Sequence, residues 1–132
     1  MKTWHKYYPL SILIIIVVCW LSLFNPAEYE ILDEIHIWDL LAHCIMYFGV
    51  AIVFWYEYLL NNSKTKIRDI VIFLILGPAL LGGLLELAQE HLTTARSGEW
   101  VDFYADLIGV VLGTAAGWWV ERPLIQRYRS PR

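Results

Sequence analysis

Residues 102–120 read DFYADLIGVVLGTAAGWWV. Asp102 and Asp106 stand one helical turn apart, and Gly109, Gly113 and Gly117 follow at four-residue spacing. At 3.6 residues per turn, Asp106 and the three glycines fall on one helix face. Small residues every fourth position let two helices approach closely in lipid. One face is therefore polar at its start and closely packed beyond, which predicts that both aspartates point into a helix bundle. Ionisable side chains at membrane depth are costly and face a bundle interior or a water-filled cavity.

Three further apolar runs surround this stretch. They are Tyr7–Phe24, Leu40–Leu60 (broken by His43 and Glu57) and Ile70–Leu85, which ends at Glu86. Each run, with its flanks, supplies roughly the 17–25 residues of a spanning helix. None alternates like a barrel strand. Of the 132 residues 58% are hydrophobic and 17% charged, and the mean hydropathy is +0.50. That excludes a polar catalytic domain of ordinary soluble type. The expected fold is all-α, a single membrane domain over residues 1–132. Its four transmembrane helices are placed at about 7–24, 39–60, 69–90 and 102–120.

Basic residues set the expected orientation. Lys2 and Lys6 precede the first run; Lys64, Lys66 and Arg68 separate the second and third. Arg122, Arg127, Arg129 and Arg132 follow the fourth, and Arg96 alone falls on the opposite side. The positive-inside rule then predicts two cytoplasmic termini. The segment from Asn25 to Trp38 faces outward with Glu28, Glu30, Asp33 and Glu34. Its Ile31, Leu32, Ile35 and Trp38 have helical spacing, fitting either a surface helix or an acidic loop. The first run reads as a retained span, since it is long and no A-x-A cleavage site follows. Cys19 and Cys44 lie at matching depths, which permits a bridge, although buried free thiols are commoner. Gly77-Pro78 predicts an irregularity in the third helix.

Asp39, His43 and Tyr47 recur every four residues and line one face, descending about 6 Å per step. Glu86, Gln89 and Glu90 close the third run, while Gly82 and Gly83 just before them suit close packing. The candidate polar site is Asp39, His43, Tyr47, Glu86, Gln89, Arg96, Asp102 and Asp106; its packing residues are Gly82, Gly83, Gly109, Gly113 and Gly117. Singly these have plain explanations: Asp39 and Asp102 as N-caps, Tyr47 and His43 as core residues, Gln89 as interhelical glue, Arg96 as a loop cation. Together, carboxylates and an imidazole at one depth suit proton sharing or a divalent cation. No nucleophile motif is present, and no cofactor is firmly implied.

The stretch WDLLAHCIMYFG (38–49) resembles the D-K-x-x-H-x-x-x-Y signature of VanZ-like bacterial membrane proteins. Residues 82–113, GGLLELAQEHLTTARSGEWVDFYADLIGVVLG, resemble their second block: E-x-x-Q, then R, then D-x-x-x-N-x-x-G-x-x-x-G. The matching positions are Asp39, His43, Tyr47, Glu86, Gln89, Arg96, Asp102, Gly109 and Gly113. Leu40 replaces the usual lysine and Asp106 the usual asparagine, so this cluster is more acidic than the family pattern. The resemblance implies a multi-pass protein of the bacterial cytoplasmic membrane, in a family named for teicoplanin resistance.

The first functional expectation is an outward-facing polar site that binds a membrane lipid, a lipid-linked envelope precursor or a glycopeptide, altering antibiotic susceptibility. The alternatives are a membrane-embedded hydrolase or transferase acting on an outer-leaflet headgroup, and a structural helical module with a polar packing network. No nucleic-acid partner is expected. Transport is disfavoured because the inner half reads as lacking polar lining.

Overall fold

In a computed structural model, residues 4–24, 35–62, 64–92 and 100–129 are described, and all the regular structure among them is helical. After a single turn at Trp4–Tyr7, helix α1 spans Pro9–Phe24. Helix α2 spans Ile35–Asn61. Helix α3 joins Ile67–Asp69, a π-helical stretch Ile70–Leu76, and Gly77–Leu92. Helix α4 joins Trp100–Ala116, a second π-helical stretch Gly117–Glu121, and Arg122–Arg129. Among the described residues, three runs are long and apolar enough to cross a membrane: Leu40–Asn61, Ile67–Ala88 and Trp100–Tyr128. Pro9–Leu23 is apolar but shorter.

Helix α2 begins at Ile35, so Ile35 and Trp38 belong to the second helix rather than to a separate surface element. Ile31 and Leu32 lie outside the described residues, as do the acidic residues of that connection. Helix α4 runs past Val120 to Arg129, because Arg122, Leu124, Gln126 and Arg127 are good helix formers and the stretch is strongly amphipathic. The irregularity expected at Gly77-Pro78 takes the form of a wider helical register. The Gly77 N–H reaches back to the Ile72 carbonyl, five residues earlier. Pro78 has no N–H to give and its ring crowds the preceding turn, so a π-type turn upstream accommodates it.

Outward faces are apolar: Ile16, Trp20, Ile45, Leu80, Leu84, Ile108 and Val111 are each more than half exposed. Such rows are what lipid-facing helix surfaces require. Inside, Val18, Tyr47, Val50, Leu85 and Val110 form one core cluster. Trp55, Tyr58, Leu59 and Leu74 form a second, joined by Trp118 and Ile125. Helices α2 and α4 make the most extensive pairing in the bundle. Along it, Gly109 abuts the Cys44 and Phe48 backbone, Gly113 abuts Ala51 and Gly117 abuts the Trp55 ring; a methyl group at any of the three would collide with those atoms. The stripe predicted from residues 109–117 is thus the α2–α4 seam. Trp55 and Trp118 meet edge to face at 6.3 Å beside it, and the Arg122 guanidinium lies 3.9 Å above the Trp118 ring. Cys19 and Cys44 are free thiols.

Candidate functional site: a buried histidine–carboxylate network

Helix α2 presents His43, Tyr47, Val50, Ala51 and Trp55 along one stripe, and α4 answers with Asp102, Asp106, Gly109, Gly113 and Gly117. Because Gly109 lets the two backbones touch, Asp106, one turn earlier, is carried directly to His43. Its Oδ1 lies 2.8 Å from His43 Nδ1. With Asp106 ionised, its oxygen can only accept and the donor is the Nδ1–H. On the other side of the ring, Nε2 stands 3.8 Å from Asp102 Oδ2. The imidazole is therefore held between two carboxylates of the same helix.

Helix α3 supplies the third wall. Gly82 leaves room for Asp106, whose Oδ2 sits only 3.0 Å from where a β-carbon would be, with the Tyr47 ring at 3.5 Å. Gly83 is less constrained, facing Phe103 at an ordinary 3.5 Å. One turn beyond Gly82, Glu86 enters the same space. His43, Glu86 and Asp106 each offer one ligand atom, all within 4.8 Å of one another. One imidazole nitrogen and two carboxylate oxygens form a donor set suited to a divalent ion such as Zn²⁺ or Mn²⁺. With Nδ1 on a metal, the Nε2–H would face Asp102, the outer carboxylate that commonly orients a metal-bound histidine.

The remaining predicted residues divide simply. Asp39 and Gln89 lie on α2 and α3, with side chains outside the described set. Arg96 lies in the segment outside the described residues. Tyr47 is 1% exposed, and its hydroxyl has no hydrogen-bond partner among the described residues.

Comparison with known family models, curated proteins and solved structures returns no match. The VanZ-like resemblance rests on its motif residues alone.

The geometry corrects the main functional expectation. His43, Glu86, Asp102 and Asp106 are 6%, 5%, 5% and 1% exposed, and the histidine is turned onto its two aspartates rather than outward. An outward-facing polar site for a lipid-linked envelope component or a glycopeptide is not what these side chains build. They form an interior network that ties α2 to α4, with Glu86 of α3 beside it. The physical reason is the glycine seam, which brings the backbones so close that side chains on that face meet each other before they can meet a ligand.

A second polar group, at the end of the bundle away from His43, has no counterpart among the residues predicted from sequence, and it corrects the expectation that this half lacks polar lining. Glu57 is 3% exposed, and its two carboxylate oxygens accept the backbone N–H groups of Leu10 and Ser11 at 2.7 and 2.8 Å. These are orphan donors of the first turn of α1, which has no acidic residue of its own. Glu57 thus caps another helix. Asn61, one turn on, donates to the Tyr7 carbonyl at 2.6 Å, and the Tyr58 hydroxyl donates to Asp69 at 2.9 Å. The available signal was the i, i+4 pair Glu57–Asn61 together with Pro9, a typical first helical residue.

Proposed function

We propose that this chain is an integral-membrane helical module whose polar cluster acts as a packing network, fixing the register and spacing of its helices. The observation carrying this reading is the buried 2.8 Å contact between His43 and Asp106, set one turn from the Gly109 approach. In lipid, the hydrophobic effect gives no force between helices, so close packing and interhelical hydrogen bonds must hold them. We further propose four spans with both termini on the cytoplasmic side, which the distribution of Lys and Arg supports. Membership of the VanZ-like family, and with it the bacterial cytoplasmic membrane, is proposed on the two motif blocks. Their His43, Glu86 and Asp102 come from separate blocks and converge in space.

A double-mutant cycle tests the network. His43→Ala and Asp106→Ala each leave a buried partner behind, so the two single losses should exceed the double loss by about 1–3 kcal/mol. Asp106→Asn keeps an acceptor for Nδ1 and should remain close to wild type. Equilibrium unfolding in a mixed-micelle denaturant titration supplies the values. Strict additivity, with both single variants as stable as wild type, would remove the network as a structural device.

The metal-capable triad makes a separate prediction. Titrating ZnCl₂ into chelator-treated protein should raise its unfolding free energy by about 2.7 kcal/mol at a hundredfold excess over Kd. Glu86→Gln, which offers a weaker amide oxygen, should show little of that gain. An equal gain in both proteins would place the ion elsewhere.

A further inference from the structure

At the end of the bundle opposite the histidine network, the start of α1, the end of α2 and the start of α3 enclose a cavity of about 420 Å³. Tyr7, Phe54, Phe73 and Leu74 contribute apolar and aromatic wall. Ser11, Asn61, Asn62 and Asp69 contribute the polar atoms, and the hydrogen bonds they already make determine what they can still bind.

The Asn61 amide nitrogen gives its two N–H groups to the carbonyls of Tyr7 and Glu57, at 2.6 and 2.8 Å. Carbonyls only accept, so this amide has one orientation, and its Oδ1 is open among the described residues. The Asn62 nitrogen reaches the Tyr58 carbonyl at 2.9 Å and the Tyr8 hydroxyl at 3.4 Å, again leaving Oδ1 open among the described residues. The Tyr58 hydroxyl donates to Asp69 Oδ2, while among the described residues Asp69 Oδ1 has only the Arg68 Nε at 3.7 Å, beyond hydrogen-bond reach. Ser11 is 7% exposed, and its Oγ has no partner among the described residues. Among the described residues both asparagine nitrogens and the Tyr58 hydroxyl are thus engaged as donors, whereas the two amide oxygens and Asp69 Oδ1 still have room to accept, and the Ser11 hydroxyl can turn to accept as well.

A cavity that offers open acceptors, one carboxylate and several aromatic rings selects a ligand that brings N–H donors and positive charge. Its apolar wall selects a hydrocarbon body. Lys64, Lys66 and Arg68 lie in or beside the adjoining connection and are exposed in whole or in part, so an anionic group next to the cation is accommodated outside the cavity. We infer that this cavity binds the headgroup of an aminophospholipid, with its primary ammonium among Asn61, Asn62, Asp69 and Ser11 and its phosphate toward the 64–68 basic residues. The site is separate from the histidine network and stands whether or not that network is a packing device.

The test is lipid retention. Full-length protein is reconstituted in vesicles of phosphatidylethanolamine, phosphatidylcholine and phosphatidylglycerol in equal parts, extracted in mild detergent, and its bound lipids are counted by native mass spectrometry. Phosphatidylethanolamine should be retained at least fivefold over phosphatidylcholine, whose methylated nitrogen has no N–H, and over phosphatidylglycerol, which has no cation. Asp69→Asn and Ser11→Ala should each reduce that preference at least threefold. Glu86→Gln, in the distant network, should leave it unchanged even where stability falls. Equal retention of the three lipids, preference for phosphatidylglycerol, or a preference indifferent to both cavity variants would overturn the assignment. If Asp69→Asn does not fold, Ser11→Ala and the wild-type comparison of the two nitrogenous lipids still decide it.

Discussion

Gly109→Ala is expected to destabilise the bundle by about 3 kcal/mol, the upper end of the range for overpacking a close-packed interior. The added methyl would overlap the Cys44 carbonyl oxygen and come within 2.9 Å of the Phe48 nitrogen. Both are backbone atoms of α2, so no rotamer change relieves the contact and the helix itself must move. Movement there also separates His43 from Asp106, whose 2.8 Å contact lies one turn away on the same seam. Packing and polar bonding should therefore fail together. Gly83→Ala is the control, because among the described residues its methyl meets only the Phe103 ring at an ordinary 3.5 Å; a change within about 0.5 kcal/mol is expected. Unfolding titrations of both variants decide the matter, and a Gly109→Ala protein as stable as the control would mean that the α2–α4 seam is looser than described.

Glu57→Ala should cost about 2–4 kcal/mol. It strips partners from the Leu10 and Ser11 N–H groups, and an orphaned buried donor costs about 1–3 kcal/mol. It also withdraws negative charge from the positive end of α1, a smaller loss. Glu57→Gln keeps one acceptor oxygen and turns an NH₂ toward the other amide, so it should lose about half as much. Amide hydrogen exchange reads the mechanism directly. Leu10 and Ser11 should exchange faster in Glu57→Ala, with α4 amides such as Val110 much less affected. Unaltered exchange at Leu10 and Ser11 would show that the carboxylate does not hold the start of α1.

Helix type and approximate extent were legible in the sequence because apolar run length is a local property. The glycine face was legible too, since four-residue spacing assigns Gly109, Gly113 and Gly117 to one side of any helix. Likewise the inward direction of Asp106 followed from its place on that side. The exact ends were less so. Helix α2 starts at Ile35 and α4 continues to Arg129, because amphipathic flanks extend helices beyond their apolar cores.

The polar residues show where local information stopped. Placing His43, Glu86, Asp102 and Asp106 at one depth required only rise per residue, and the structure brings His43, Glu86 and Asp106 within 4.8 Å. Whether they open outward or close on one another depends on the distance between α2 and α4, a property of two helices and not of either. Glu57 is the sharper case. Its partners lie 46 and 47 residues away, and nothing in the apolar run around it says that the first turn of α1 ends there. The sequence by itself determined that this is a helical membrane protein with a small-residue face and ionisable groups at set depths, because those follow from hydropathy and helical periodicity. Only the tertiary structure decided that the groups are spent on each other and on a neighbouring helix's end, because hydrogen-bond partners are chosen by interhelical distance.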